Sequence, residues 1–191
     1  MKTRTCLMGV LALLLVVSCG SEPSSTPSPV PSAPEPDQTM SVGFVKAIMQ
    51  PLGESGVTGI VSFSVTPRGV RVEADLKGLA PGNHGFHIHE IGDCSSPDGK
   101  SAGGHFNPAD VPHAGPEAEA AHAGDLGNLE ADENGQALIT IMSSRVTLGD
   151  GAPTDIMGRA VIVHADPDDL ESQPTGAAGG RVACGVIESS E

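Results

Sequence analysis

Apolar and polar side chains alternate with a period of two residues along most of the chain beyond residue 40. The pattern is clearest where Val70, Val72, Ala74 and Leu76 alternate with Arg71, Glu73, Asp75 and Lys77. A strand sends successive side chains to opposite faces, so this segment has one apolar and one charged side. In the stretch before it, Val57, Val61, Phe63 and Val65 face away from Thr58, Ser62 and Ser64. Thr66-Pro67-Arg68-Gly69 reads as the turn between the two. Asn134-Gly135 predicts a hairpin joining strands at 126–130 and 136–142. Further strands are expected at 42–49, 85–90, 159–164 and 182–187. Helical periodicity is nearly absent. The expectation is an all-β domain of eight strands, with two long connections at 91–121 and 165–181. Connections of this length inside a compact domain are usually functional.

The ends do not belong to that pattern. Lys2 and Arg4 precede an apolar run over 7–17, too short for a permanent membrane span. The run ends in Val16-Val17-Ser18-Cys19, which resembles a bacterial lipoprotein cleavage box and makes Cys19 the lipid-bearing residue. An ordinary secretory signal is the plainer alternative, and both readings export the protein. Residues 20–39 are rich in Pro, Ser and Glu, with Val30 their one large apolar side chain. They cannot bury enough surface to offset ordering, and read as a disordered tether. The expected organisation is therefore a leader over 1–19, a tether over 20–39 and one domain over 40–191. The protein would be periplasmic or on the cell surface, touching a membrane only through its lipid.

Charge narrows the choice of partner. The chain has 10 basic and 24 acidic side chains; without Lys2 and Arg4, 8 face 24, a net charge of −16. Such acidity opposes nucleic acid and anionic lipid surfaces. The chain has no Trp or Tyr on which nucleobases could stack. With Cys6 in the leader and Cys19 lipidated, Cys94 and Cys184 remain. Two cysteines left in an exported protein most often pair. That loop of about 90 residues is worth on the order of 4–5 kcal/mol in the chain-entropy model.

Candidate chemistry is concentrated in one span. Six of the seven histidines fall in Phe86-His87-Ile88-His89-Glu90, Gly104-His105-Phe106, His113, His122-Ala123-Gly124-Asp125 and Val163-His164. Imidazole is the commonest metal ligand. His87 and His89, two apart on an expected strand, share a face and can grip one ion. With Asp125 the span offers seven donor residues. Two four-coordinate metals need eight donor atoms, and one deprotonated imidazole with both nitrogens engaged closes the gap.

Four segments, taken in order, resemble the copper/zinc superoxide dismutases. They are Gly85-Phe86-His87-Ile88-His89-Glu90, Ala102-Gly103-Gly104-His105-Phe106-Asn107-Pro108, His122-Ala123-Gly124-Asp125-Leu126-Gly127-Asn128 and Gly180-Arg181-Val182-Ala183-Cys184-Gly185-Val186-Ile187. The similarity extends over about 40–187. It implies an eight-stranded Greek-key β-barrel or sandwich with two long functional loops, and it admits a homodimer. It implies copper on His87, His89, His105 and His164, and zinc on His105, His113, His122 and Asp125, with His105 the bridge. It implies a Cys94–Cys184 disulfide, a structural His84, and Asp168 hydrogen-bonded to His87 and His113. Arg181 is the implied dock for the superoxide anion. The implied reaction turns two superoxide ions and two protons into dioxygen and hydrogen peroxide, copper alternating between Cu(II) and Cu(I) while zinc holds His105.

Two features depart from many eukaryotic members: the 165–181 connection is short, and Pro174 stands where a lysine often precedes the threonine, here Thr175. Steering would then rest on Arg181, or on Lys100 if its loop brings it close. The alternative function is a non-catalytic copper-binding or copper-storage module of the same fold. Such relatives tend to lack part of the copper set or the arginine. A zinc hydrolase would need an open zinc position, which these ligands close.

Overall fold

The computed structural model describes residues 45–190. The expected leader, the tether and Cys19 lie outside the described residues. Eight strands form among the described residues: β1 (Val45–Pro51), β2 (Thr58–Thr66), β3 (Gly69–Lys77), β4 (Gly82–His89), β5 (Asp125–Ala131), β6 (Gln136–Ser143), β7 (Ala160–His164) and β8 (Arg181–Ser189). One 3-10 turn, Lys100–Ala102, interrupts the first long connection. The strands are laddered antiparallel in the order β5-β4-β7-β8-β1-β2-β3-β6. The two end strands, β5 and β6, follow each other in the chain, so the sheet curls round into a nearly closed barrel with Greek-key crossings. This is the expected all-β architecture.

Alternation places the core. Val70, Val72, Ala74 and Leu76 of β3 are buried and pack with Ala47, Val61, Phe63, Phe86, Ile88, Leu129 and Ile187. The β2–β3 hairpin turns at Thr66 and Gly69, with Thr66 Oγ1 donating to the Gly69 carbonyl at 2.9 Å. Val65 departs from the expected pattern. It lies one residue from the hairpin turn and is 62% exposed, although Val70, opposite it in the ladder, is buried.

The Asn134-Gly135 reading needs a correction. The tight turn forms, with Gly135 N–H donating to Asp132 O at 2.9 Å and Asp132 N–H to Gln136 O at 2.8 Å. The strands it joins are not a laddered hairpin: β5 pairs with β4, and β6 pairs with β3 from Val70↔Ser143 to Lys77↔Gln136. Leu79, in the crossing from β3 to β4, donates its N–H to Gly135 O at 3.2 Å. That bond ties the turn to the crossing at the barrel's end. Gly135 has φ 74°, and a Cβ there would lie 2.4 Å from Leu79 O, so glycine is required.

Candidate metal centre

On β4, Phe86 and Ile88 point into the core, and His87 and His89 point to the other side. Both imidazoles are nonetheless fully buried, because the two long connections fold over this face. The first one runs back beside β4: Phe106 N–H donates to Ile88 O (2.8 Å), and Ile88 N–H to Gly124 O (2.9 Å). A Cβ on Gly124 would sit 2.2 Å from Ile88 O, so only glycine allows this approach. The result is a short antiparallel bridge that sets His105 beside His89. His164 ends β7, two residues past Ile162, which stands opposite His87. Asp125 opens β5 and also registers with His87.

The six span histidines and Asp125 come together in two groups. One ligand atom from each of His87, His89, His105 and His164 lies within 4.8 Å of the others, and the same holds for His105, His113, His122 and Asp125. All are buried, and His105 belongs to both groups. His84 stands apart, its ring nitrogens 2.8 Å from the carbonyl oxygens of His164 and Ala80. It ties the end of β7 to β4, as a structural residue would.

Six ring nitrogens in these groups are buried without a hydrogen-bond partner: His87 Nδ1, His89 Nε2, His105 Nε2, His113 Nδ1, His122 Nδ1 and His164 Nε2. Buried polar atoms are rarely left so. Meanwhile the opposite nitrogens are engaged. His87 Nε2–H donates to Asp168 Oδ2 (2.7 Å), His113 Nε2–H to Asp168 Oδ1 (3.0 Å) and His89 Nδ1–H to Gly103 O (3.0 Å). These bonds leave the lone pairs aimed inward, the arrangement a metal ligand needs. In the second group, Asp125 oxygens lie 2.8 Å from His105 Nδ1, 3.0 Å from His113 Nδ1 and 3.3 Å from His122 Nδ1. Ligands about 2.0 Å from a tetrahedral zinc ion are spaced about 3.3 Å apart. The residues therefore fit metal ions.

Burial also disfavours the charged form of His87, His89, His122 and His164. It holds His87 well below the ordinary histidine value, with neighbouring His105 and His164 adding to the effect. His89 is lowered by burial, then by His105 and the Arg181 charge. His164 is pulled down from 6.5 to about 4 by burial, against the opposing hydrogen bond to Gly179. Burial alone would raise Asp125, but the His105 hydrogen bond and surrounding imidazoles outweigh it and lower it. A pH dependence follows for the metal-free protein. The unfolded chain binds a proton at His164 below 6.5, and the folded one only near 4. Stability therefore falls as pH drops through that window, by on the order of 3 kcal/mol for this residue. His87 and His89 act in the same direction. Thermal melts of chelator-treated protein should show the midpoint dropping between pH 6.5 and 4.5; a flat midpoint contradicts the buried neutral imidazoles.

Arg181 opens β8. Its Nη1 donates to Gly99 O (2.5 Å) and Nη2 to Gly103 O (2.6 Å), the carbonyl that also receives His89 Nδ1–H. Cys94 and Cys184 are joined, their Cα atoms 5.7 Å apart, which anchors the loop carrying those carbonyls to β8. Lys100, the other expected cation, is 81% exposed at its side chain and paired with Asp98 at 2.8 Å. Two residues without a role in the sequence reading also take part. Asn128 holds the Asp168 backbone from both sides, Oδ1 accepting its N–H (2.8 Å) and Nδ2 donating to its carbonyl (2.9 Å). Gln173 does the same for His113. Asn128 lies in one of the recognised motifs, where a signal for it existed; Gln173 lies in none.

Barrel and paired histidine groups together define an all-β protein with a two-metal centre. The family model described as copper/zinc superoxide dismutase matches residues 57–187, a span that contains every donor, both paired cysteines and Arg181. The chain belongs to the copper/zinc superoxide dismutase family. Copper and zinc are that family's metals, and the two groups can hold one ion each.

Proposed function

We propose that the protein dismutes superoxide, converting two superoxide ions and two protons to dioxygen and hydrogen peroxide. The observation that carries this reading is the set of six unpartnered nitrogens converging on two groups that share His105. Copper belongs with His87, His89, His105 and His164, because four imidazoles suit its tetragonal preference. Zinc belongs with His105, His113, His122 and Asp125, a closed nitrogen-and-carboxylate set of the structural kind. Copper, when bound, supplies one-electron transfer in both directions.

The rest falls to the chain. His105 presents Nδ1 toward Asp125 and leaves Nε2 unpartnered within the copper group. Nε2 is the atom that takes up and returns a proton in each cycle, while Nδ1 stays fixed. Asp168 keeps the His87 and His113 rings in orientation. Arg181 supplies the fixed positive charge that draws the anion toward the buried imidazoles, and its guanidinium is immobilised by two carbonyls. Export suits the Cys94–Cys184 disulfide, which persists in oxidising compartments.

A copper-storage module would use the same ligands without turnover. The immobilised Arg181 favours catalysis, since storage needs no anion dock. Copper and zinc content of the purified protein, measured with superoxide decay, separates the two. One copper and one zinc per chain with rapid decay is the expected result. Full copper loading with decay no faster than the buffer would overturn the assignment.

A further inference from the structure

His113 is the zinc-group member that lies in no strand, bridge or backbone-bonded turn. Asp125 opens β5, His122 donates its N–H to Asp125 Oδ2 at 3.0 Å, and His105 sits in the bridge to His89. His113 lies midway along an irregular run with no ladder of its own. Its backbone is held instead by a side chain 60 residues away: Gln173 Oε1 accepts His113 N–H at 2.8 Å, and Gln173 Nε2 donates to His113 O at 2.8 Å. The second Nε2 hydrogen goes to Glu171 O at 3.0 Å. A flipped amide would set two donors, or two acceptors, against each other, so this orientation is the one chemistry permits.

The amide thus replaces the missing neighbouring strand. Asp168, from the same 165–181 connection, holds the far side of the His113 ring. Backbone and ring together leave Nδ1 one direction in which to point, toward Asp125 Oδ2 at 3.0 Å. We propose that Gln173 is a positioning residue for the zinc site, setting zinc affinity through the backbone of His113. This rests on the metal assignment above and adds a residue to it.

Zinc itself is the probe. Metal-free full-length protein is titrated with zinc against a competing chelator, and the release rate is followed after excess chelator is added. Outer partners of metal ligands typically govern affinity by about 10–100-fold. Gln173→Ala should weaken zinc by about that range. Gln173→Glu keeps an acceptor for His113 N–H but sets a carboxylate oxygen against the His113 and Glu171 carbonyls, so it should weaken zinc at least as much as Gln173→Ala. Asp155→Ala is the control: Asp155 accepts the amides of Gly149, Gly151 and Met157 and bonds none of the seven donors. It should lower the melting temperature without changing zinc affinity. Wild-type affinity in Gln173→Ala, or equal losses in Gln173→Ala and Asp155→Ala, overturns the role given to Gln173 alone. Failure of the wild-type protein to bind zinc overturns the metal assignment and this inference together.

Discussion

His105→Ala should lower the rate of superoxide decay by at least about 10²–10⁴-fold, the usual weight of a positioned proton-transfer group. The expectation is this large because one ring serves both groups: Nδ1 lies 2.8 Å from Asp125 Oδ1, and Nε2 belongs to the unpartnered set. Removing it leaves three donors in each group and takes away the proton carrier. Two variants bracket the effect. His84→Ala removes a ring whose nitrogens face the carbonyls of His164 and Ala80, outside both groups. It should cost stability of about 1–3 kcal/mol from unsatisfied buried groups and retain most activity per copper. His122→Ala removes one zinc-group donor while leaving all four copper-group histidines, and should weaken zinc more than copper. Decay rates normalised to bound copper, together with the visible copper spectrum, distinguish these outcomes. A His105→Ala protein with near wild-type decay and an unaltered spectrum would rule out the shared-ligand assignment.

Much of this was legible in the sequence wherever structure follows from local period or turn chemistry. The alternation at 70–77 placed Val70, Val72, Ala74 and Leu76 on the buried face. The two-residue spacing of His87 and His89 put both on one side of β4. The turn at Asn134-Gly135 was read from its residues, but its strands pair elsewhere. Turn chemistry is local, whereas the choice of ladder partner depends on Leu79 and on β3 and β4. The family resemblance pointed to the two donor groups that the structure brings together, and to Asp168 beside His87 and His113. Nothing in period, spacing or motif marked Gln173. Its significance lies in a contact across 60 residues between two irregular segments, and such segments carry no repeating pattern to read.

Arg181→Ala should slow superoxide decay by about 3-fold to about 100-fold. The bounds come from a unit anion roughly 6 Å from the guanidinium, interacting by about 0.7 kcal/mol in water and about 3 kcal/mol at an effective dielectric near 20. The true environment lies between them, since Arg181 is part-buried. Charge and geometry can be separated, because the guanidinium also braces the loop through Gly99 O and Gly103 O. Arg181→Lys keeps the charge and loses the planar fork; its rate should lie above that of Arg181→Ala. Arg181→Glu reverses the charge and should be slowest. The acidic remainder of the molecule repels superoxide, which makes a local positive charge more consequential. Salt tests the same idea, since screening beyond about 8–10 Å at physiological ionic strength weakens exposed charges. Added salt should change the wild-type rate more than the Arg181→Ala rate. If Ala, Lys and Glu variants match wild type at equal copper content across a stopped-flow salt series, the guanidinium is a loop brace and not an anion dock. Slow Arg181→Ala and Arg181→Lys with equal rates would assign the effect to the two carbonyl contacts. Only a graded order of Arg, Lys, Ala and Glu supports steering by charge.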